Sequence, residues 1–101
     1  MKTIKGIEKI IQSHKQELTE KYGFITIGVF GSYVRGDQDS KSDLDVLVEV
    51  RRPMGFVKFI RLESHLSQLL GVKVDLVTKK ALKPHIGQRI LQEVQYVCYT
   101  I

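Results

Sequence analysis

Apolar residues recur along the chain at two distinct periods. Ile4, Ile7, Ile11, His14 and Leu18 are spaced by three and four residues, which predicts one amphipathic helix that Gly23 can end. Phe24-Ile25-Thr26-Ile27-Gly28-Val29-Phe30 then reads as a buried strand that breaks at Gly31-Ser32, with a helical turn after it. Leu44, Val46, Val48 and Val50 alternate with Asp43, Asp45, Leu47 and Glu49, the period-two pattern of a second strand. Pro53 is placed to open a helix whose Phe59, Leu62, Leu66 and Leu69 share a face and which Gly71 can close. A third alternating segment, Val72 to Thr78, carries Asp75. Pro84 starts another helix with Ile86, Ile90 and Val94 at helical intervals, and Gln95 to Ile101 read as a short terminal strand. This order predicts an α/β or α+β fold, one mixed β-sheet flanked by helices. No repeat, low-complexity stretch or long linker interrupts it, so residues 1–101 are expected to form a single domain.

The same alternation sends Asp43 and Asp45 to one side of the second strand, with Cα atoms roughly 6.6 Å apart. Carboxylates so placed can lean together on one or two divalent ions about 3.5–4 Å apart, and they repel each other unless a cation lies between them. The strand break before them supplies a complementary feature. Gly31 lets a phosphate approach the backbone, while Ser32 can cap the next turn and offer its hydroxyl and nearby N–H groups to an anion. Each part alone has an ordinary alternative: Gly-Ser after a strand is commonly a helix cap, and Asp-x-Asp a solvated strand end. Both together, at this spacing and with Ser42 before the first aspartate, favour a site for metal-bound phosphates. Asp37 and Asp39, in the polar loop from Gly36 to Lys41, are expected to face solvent because nothing in the sequence fixes their direction. For Arg35, a phosphate or partner contact and a surface ion pair are readings of equal standing.

Sixteen basic against eleven acidic residues give a formal charge of +5 and a pI near 9.4, which favours phosphate-bearing ligands or an acidic partner without choosing between them. The clusters Arg51-Arg52 with Lys58 and Arg61, and Lys79-Lys80 with Lys83, read as solvated faces that could also meet a triphosphate or a partner. The single cysteine, Cys98, permits no internal disulfide and is expected to be buried packing. His14, His65 and His85 show no metal-ligand spacing. No stretch has the look of a signal peptide or membrane span, so the expected location is the cytoplasm.

Gly31-Ser32, then ten residues from Tyr33 to Ser42, then Asp43-x-Asp45 followed by apolar alternation, resembles the signature of the DNA polymerase beta-like nucleotidyltransferase superfamily. The fuller string Gly-Ser-x-x-Arg-Gly through Ser-Asp-x-Asp, in a chain this short, is similar to the minimal nucleotidyltransferases, the MNT antitoxins paired with HEPN toxins. Val34 departs modestly from that pattern, where alanine is frequent. The resemblance implies a palm-like fold in which Asp43 and Asp45 hold Mg2+, two ions in all. It also implies a third carboxylate on a neighbouring strand, Asp75, helping to hold the metal that activates the attacking hydroxyl and taking its proton. Without the resemblance, Asp75 reads as a strand acid paired with Lys73 or Lys79. Gly31, Ser32, Arg35 and Ser42 are then the expected nucleotide contacts. The implied activity is transfer of AMP from Mg·ATP to a tyrosine hydroxyl of a cognate HEPN ribonuclease toxin, with pyrophosphate leaving, inside a hetero-oligomer and without a nucleic-acid substrate. Two other readings stay open: adenylylation of a small molecule such as an aminoglycoside, and an antitoxin that acts by contact alone.

Overall fold

The computed structural model describes residues 3–100. The expected first helix is two: α1 (Ile4–Ser13) and α2 (Lys15–Tyr22). The break has a local cause, because side chains at its end take carbonyls that a continuing helix would use. The Ser13 hydroxyl lies within hydrogen-bond reach of the Lys9 and Ile10 carbonyls, and His14 Nδ1 lies 2.9 Å from the Ile10 carbonyl to which it donates. His14 itself leaves helical geometry, with φ −112° and ψ 13°. Ile7, Ile11 and Leu18 still face the interior, so the apolar stripe survives the bend.

β1 (Phe24–Phe30), the short α3 (Ser32–Arg35) and β2 (Leu44–Val50) follow, then α4 (Phe56–Leu70), β3 (Val74–Thr78), a 3-10 turn at Lys79–Ala81, α5 (Pro84–Glu93) and β4 (Gln95–Tyr99). Helix α4 begins after Gly55, later than Pro53, and β3 begins two residues later than its apolar run. Ile101, assigned to the terminal strand from the sequence, lies outside the described residues. The sheet order is β3-β2-β1-β4. β1 runs antiparallel to both its neighbours, whereas β2 and β3 are parallel, a pairing that needs a crossover and receives one from α4.

Alternation along the strands gives the sheet two unlike faces. Ile27, Val29, Leu44, Val46, Val48 and Leu76 join Ile7, Ile11 and Leu18 from the first two helices and Leu62, Leu66 and Leu70 from α4 in one apolar core. His65 ties α4 to α2 through the Tyr22 hydroxyl, 3.0 Å away. Cys98 is buried in the core, as its apolar surroundings predict. The opposite face carries Gly28, Phe30, Leu47, Asp45 and Asp75. Helix α5 lies by this second face, and its Ile86 is 60 % exposed although it stands at helical intervals with the half-buried Ile90 and Val94. Gly87 explains the difference: it is the buried residue of α5, where a Cβ would come within 3.0 Å of Leu82 Cβ, so the helix docks by that side and turns Ile86 outward. Among the described residues, no helix is long and apolar enough to cross a membrane.

Candidate functional site

Asp45 is the second residue of β2, and its registered neighbours across the sheet are Phe30 at the end of β1 and Asp75 in β3. Adjacent strands lie about 4.8 Å apart, so Asp45 and Asp75 stand side by side on the second face. Asp43 sits one residue before β2 begins. It is exposed and reaches toward Lys73, with Nζ 3.9 Å from its Oδ2. The lysine pairings expected for Asp75 therefore fall elsewhere, Lys73 with Asp43 and Lys79 with Glu49 at 3.8 Å.

The turn after β1 is packed onto this row of acids. Gly31 has φ 82° and ψ −149°, a backbone region that glycine alone enters readily, and a Cβ there would collide with the Asp45 carboxylate. Glycine is thus required twice at this position, for conformation and for space. Gly31 also occupies the cap position of α3, making Ser32 the first helical residue and not the cap that the sequence suggested. Ser42 is engaged within its loop: its hydroxyl accepts from the Asp39 N–H at 2.9 Å and lies 3.3 Å from Asp39 Oδ1. Asp39 also accepts from the Lys41 N–H, so its direction is fixed by the loop where none was expected.

The electrostatics of Asp45 follow from this placement. Its carboxyl is pushed up to about 6, first by burial and then by the neighbouring charges of Asp75 and Asp43, with Arg35 opposing. A group so situated gains from a cation that offsets both effects. Three carboxylates offer hard oxygen ligands of the kind Mg2+ prefers, and they fit the ion in a particular way. Among the described residues, no three acidic, histidine or cysteine side chains converge closely enough to enclose a metal by themselves. Mg2+ usually binds through one or two carboxylates together with substrate phosphates, which matches an open pair of acids beside an open cleft.

That cleft, of about 330 Å³, is lined by Phe30, Gly31, Arg35, Asp45, Ile86, Arg89, Ile90 and Glu93. Larger clefts exist elsewhere, including one of about 440 Å³ lined by Val48, Met54, Thr78 and Lys79, but they contain none of the three aspartates. The structure thus brings Gly31, Arg35 and Asp45 to one cleft with Asp75 adjoining on the sheet, and leaves Ser42 bound within its own loop. Sequence reasoning missed Glu93 and Arg89. Glu93 accepts from the Gly31 N–H and from Arg35 Nη1, both at 2.9 Å, and these bonds hold its carboxyl below the usual range. One signal was available: an acid in the last turn of a helix opposes the negative end of the helix dipole and so implies a partner elsewhere.

Residues 11–97 match the nucleotidyltransferase domain family. The chain is 50 % identical over 97 residues to the protein adenylyltransferase MntA of Thermococcus cleftensis, covering 96 % of this chain and 98 % of that one. Its fold is similar to that of a toxin–antitoxin crystal structure with AMP-PNP, with a TM-score of 0.76 and 24 % identity over 92 % of this chain and 73 % of the other. A similar likeness, TM-score 0.69 and 19 % identity over 93 % of this chain and 73 % of the other, is to the complex of a tri-AMPylated Shewanella oneidensis HEPN toxin with its MNT antitoxin. The palm-like fold and the Gly-Ser and Asp-x-Asp motifs accordingly have one source: the chain belongs to the nucleotidyltransferase family, on its minimal, MntA-related branch.

Proposed function

We propose that this chain, acting as one domain over residues 1–101 in the cytoplasm, transfers AMP from Mg·ATP to a tyrosine hydroxyl of a HEPN-type toxin and so silences it. The observation that carries the reading is the row Asp45–Asp75 beneath the Gly31 turn, because it sets acids for the reacting phosphate beside a backbone amide and an arginine for the outer phosphates. The 50 % identity to a protein adenylyltransferase supports the reaction class, and the toxin–antitoxin complexes of the same fold support the partner class.

Asp43 and Asp45 are the residues that would hold Mg2+, which when bound supplies electrostatic stabilisation of the triphosphate and its departing charge. Gly31, with its close backbone approach, and the Arg35 guanidinium orient the outer phosphates. Asp75, exposed beside Asp45, takes the proton of the attacking tyrosine. The tyrosine oxygen bonds to the α-phosphorus, the bond from that phosphorus to the bridging oxygen of the β-phosphate breaks, and pyrophosphate leaves with the electron pair. AMP left on the toxin adds bulk and negative charge near an RNA-binding surface. An open cleft beside the ends of the two central strands suits a protein acceptor, since the partner can complete its walls.

The test is incubation with a purified HEPN-type partner and Mg·ATP, followed by intact and peptide masses of that partner. One or more AMP units on a tyrosine is the expected result. Inhibition without modification would replace this reading by an antitoxin acting through contact alone, and transfer to aminoglycosides alone would replace it by a small-molecule enzyme.

A further inference from the structure

Glu93 occupies the place where the reading above puts a phosphate. Its Oε2 accepts from the Gly31 N–H and its Oε1 from Arg35 Nη1, each at 2.9 Å, so the carboxylate presents two oxygens to an amide and a guanidinium as a phosphate would. The amide has one proton to give, and an incoming anion can take it only if Glu93 lets go. Arg89 lines the same cleft, and Asp45 lies across it. Arg35 and Arg89 attract the carboxylate, and two features of its place oppose that hold. It sits in the last turn of α5, facing the negative end of that helix, and its charge adds to the repulsion felt by Asp45. Arg35 keeps a second partner when Glu93 departs, Asp37 at 3.5 Å.

We propose that Glu93 is a built-in competitor for the triphosphate, holding the Gly31 amide and the Arg35 guanidinium until the outer phosphates of Mg·ATP displace it. The proposal rests on the nucleotide-site reading and adds to it a residue that sets nucleotide affinity. It also acts on product: the returning carboxylate competes with pyrophosphate for the same two donors and hastens its departure.

Calorimetric binding of Mg·AMP-PNP, inorganic pyrophosphate and adenosine to the parent, Glu93→Gln and Glu93→Ala tests it, with thermal melts to establish folding. Glu93→Ala, which removes the competitor, binds Mg·AMP-PNP and pyrophosphate about tenfold more tightly, the factor expected of a competitor that engages its donors about nine-tenths of the time, and Glu93→Gln, which keeps one acceptor oxygen, gains less, with adenosine unchanged in both. In turnover, KM for ATP falls and pyrophosphate inhibits at about tenfold lower concentration. Equal or weaker phosphate binding by the folded variants overturns the proposal and makes Glu93 an orienting partner of Arg35. On the unmodified protein, the Gly31 amide and Glu93 carboxyl NMR resonances shift together as pyrophosphate is added; movement of Gly31 with Glu93 fixed overturns it independently. Tighter phosphate binding without any AMP transfer to protein supports the competitor and removes only the proposed acceptor. Absence of phosphate binding in parent and variants alike overturns both.

Discussion

On the sheet face covered by α1, α2 and α4, Ile27, Val29, Leu44, Val46 and Val48 are wholly withdrawn from water, whereas Asp45, in the same strand as the last three, faces the other way and stays partly exposed. The two faces are made by alternate residues of the same strands and answer to opposite demands. On the covered face, each side chain gains by burial and the neighbours reinforce one another. On the other, Asp45, Asp75 and Asp43 hold like charges close together, and burial raises Asp45 further. Burial on the first face outweighs the repulsion carried by the second. The main apolar core and the row of acids thus stand on alternate residues of one layer of backbone.

Substitutions on the two faces have different expected consequences. The largest effect is expected from Asp43→Asn with Asp45→Asn, which removes the carboxylates offered to Mg2+ and lowers AMP transfer by about 10³-fold or more, since metal stabilisation of the transition state is worth several kcal/mol. The double variant remains folded, and single-turnover transfer alongside thermal melts checks both parts. On the covered face, Leu66→Ala leaves a cavity in a fully buried position and destabilises the protein by about 2–5 kcal/mol, a large share of the ~5–15 kcal/mol typical of a domain. Denaturant unfolding measures it, and activity per folded molecule is unchanged. Asp75→Asn lowers the transfer rate by about 10²-fold with a smaller loss of nucleotide affinity, because the residue is assigned to the proton and not principally to the triphosphate. Collapse of affinity with a normal rate for the bound fraction would instead make Asp75 a nucleotide-metal ligand.

The smallest effect is read through pH. Folded Asp45 holds its proton up to about pH 6, against 3.8 ordinarily, so its ionisation works against the fold. The destabilisation is absent below about pH 4, grows as pH rises toward 6 and is full above it. Discounted for the partial exposure of the group, it is on the order of 1 kcal/mol. Asp45→Asn therefore melts roughly 4–8 °C above the parent at pH 8 without Mg2+, and the gap closes as pH falls toward 4. A constant gap across that range would mean that the charge of Asp45 is not its cause.

Much of this division was legible in the sequence because period two assigns faces with no knowledge of packing. Asp45 opposite Val46 and Val48 could be read directly, and so could the break at Gly31. Other features depend on contacts between distant segments, which local pattern does not encode. The single first helix became two because Ser13 and His14 bond the preceding carbonyls, an option that apolar spacing does not reveal. Ile86 fits a helical stripe yet faces out, because Gly87 decides which side of α5 docks on Leu82. Ser42 fits the motif and is held by Asp39 in its loop. Glu93 bonds to residues 62 and 58 positions away, so only the assembled fold could join it to Gly31 and Arg35.

A crystal structure of this chain with Mg·AMP-PNP decides whether the exposed acids and the Gly31 turn form one nucleotide site. The triphosphate is expected in the cleft between Gly31, Arg35 and Asp45, with Mg2+ on Asp43 and Asp45. A nucleotide seated instead in the larger cleft of Val48, Met54 and Lys79, away from all three aspartates, would contradict it.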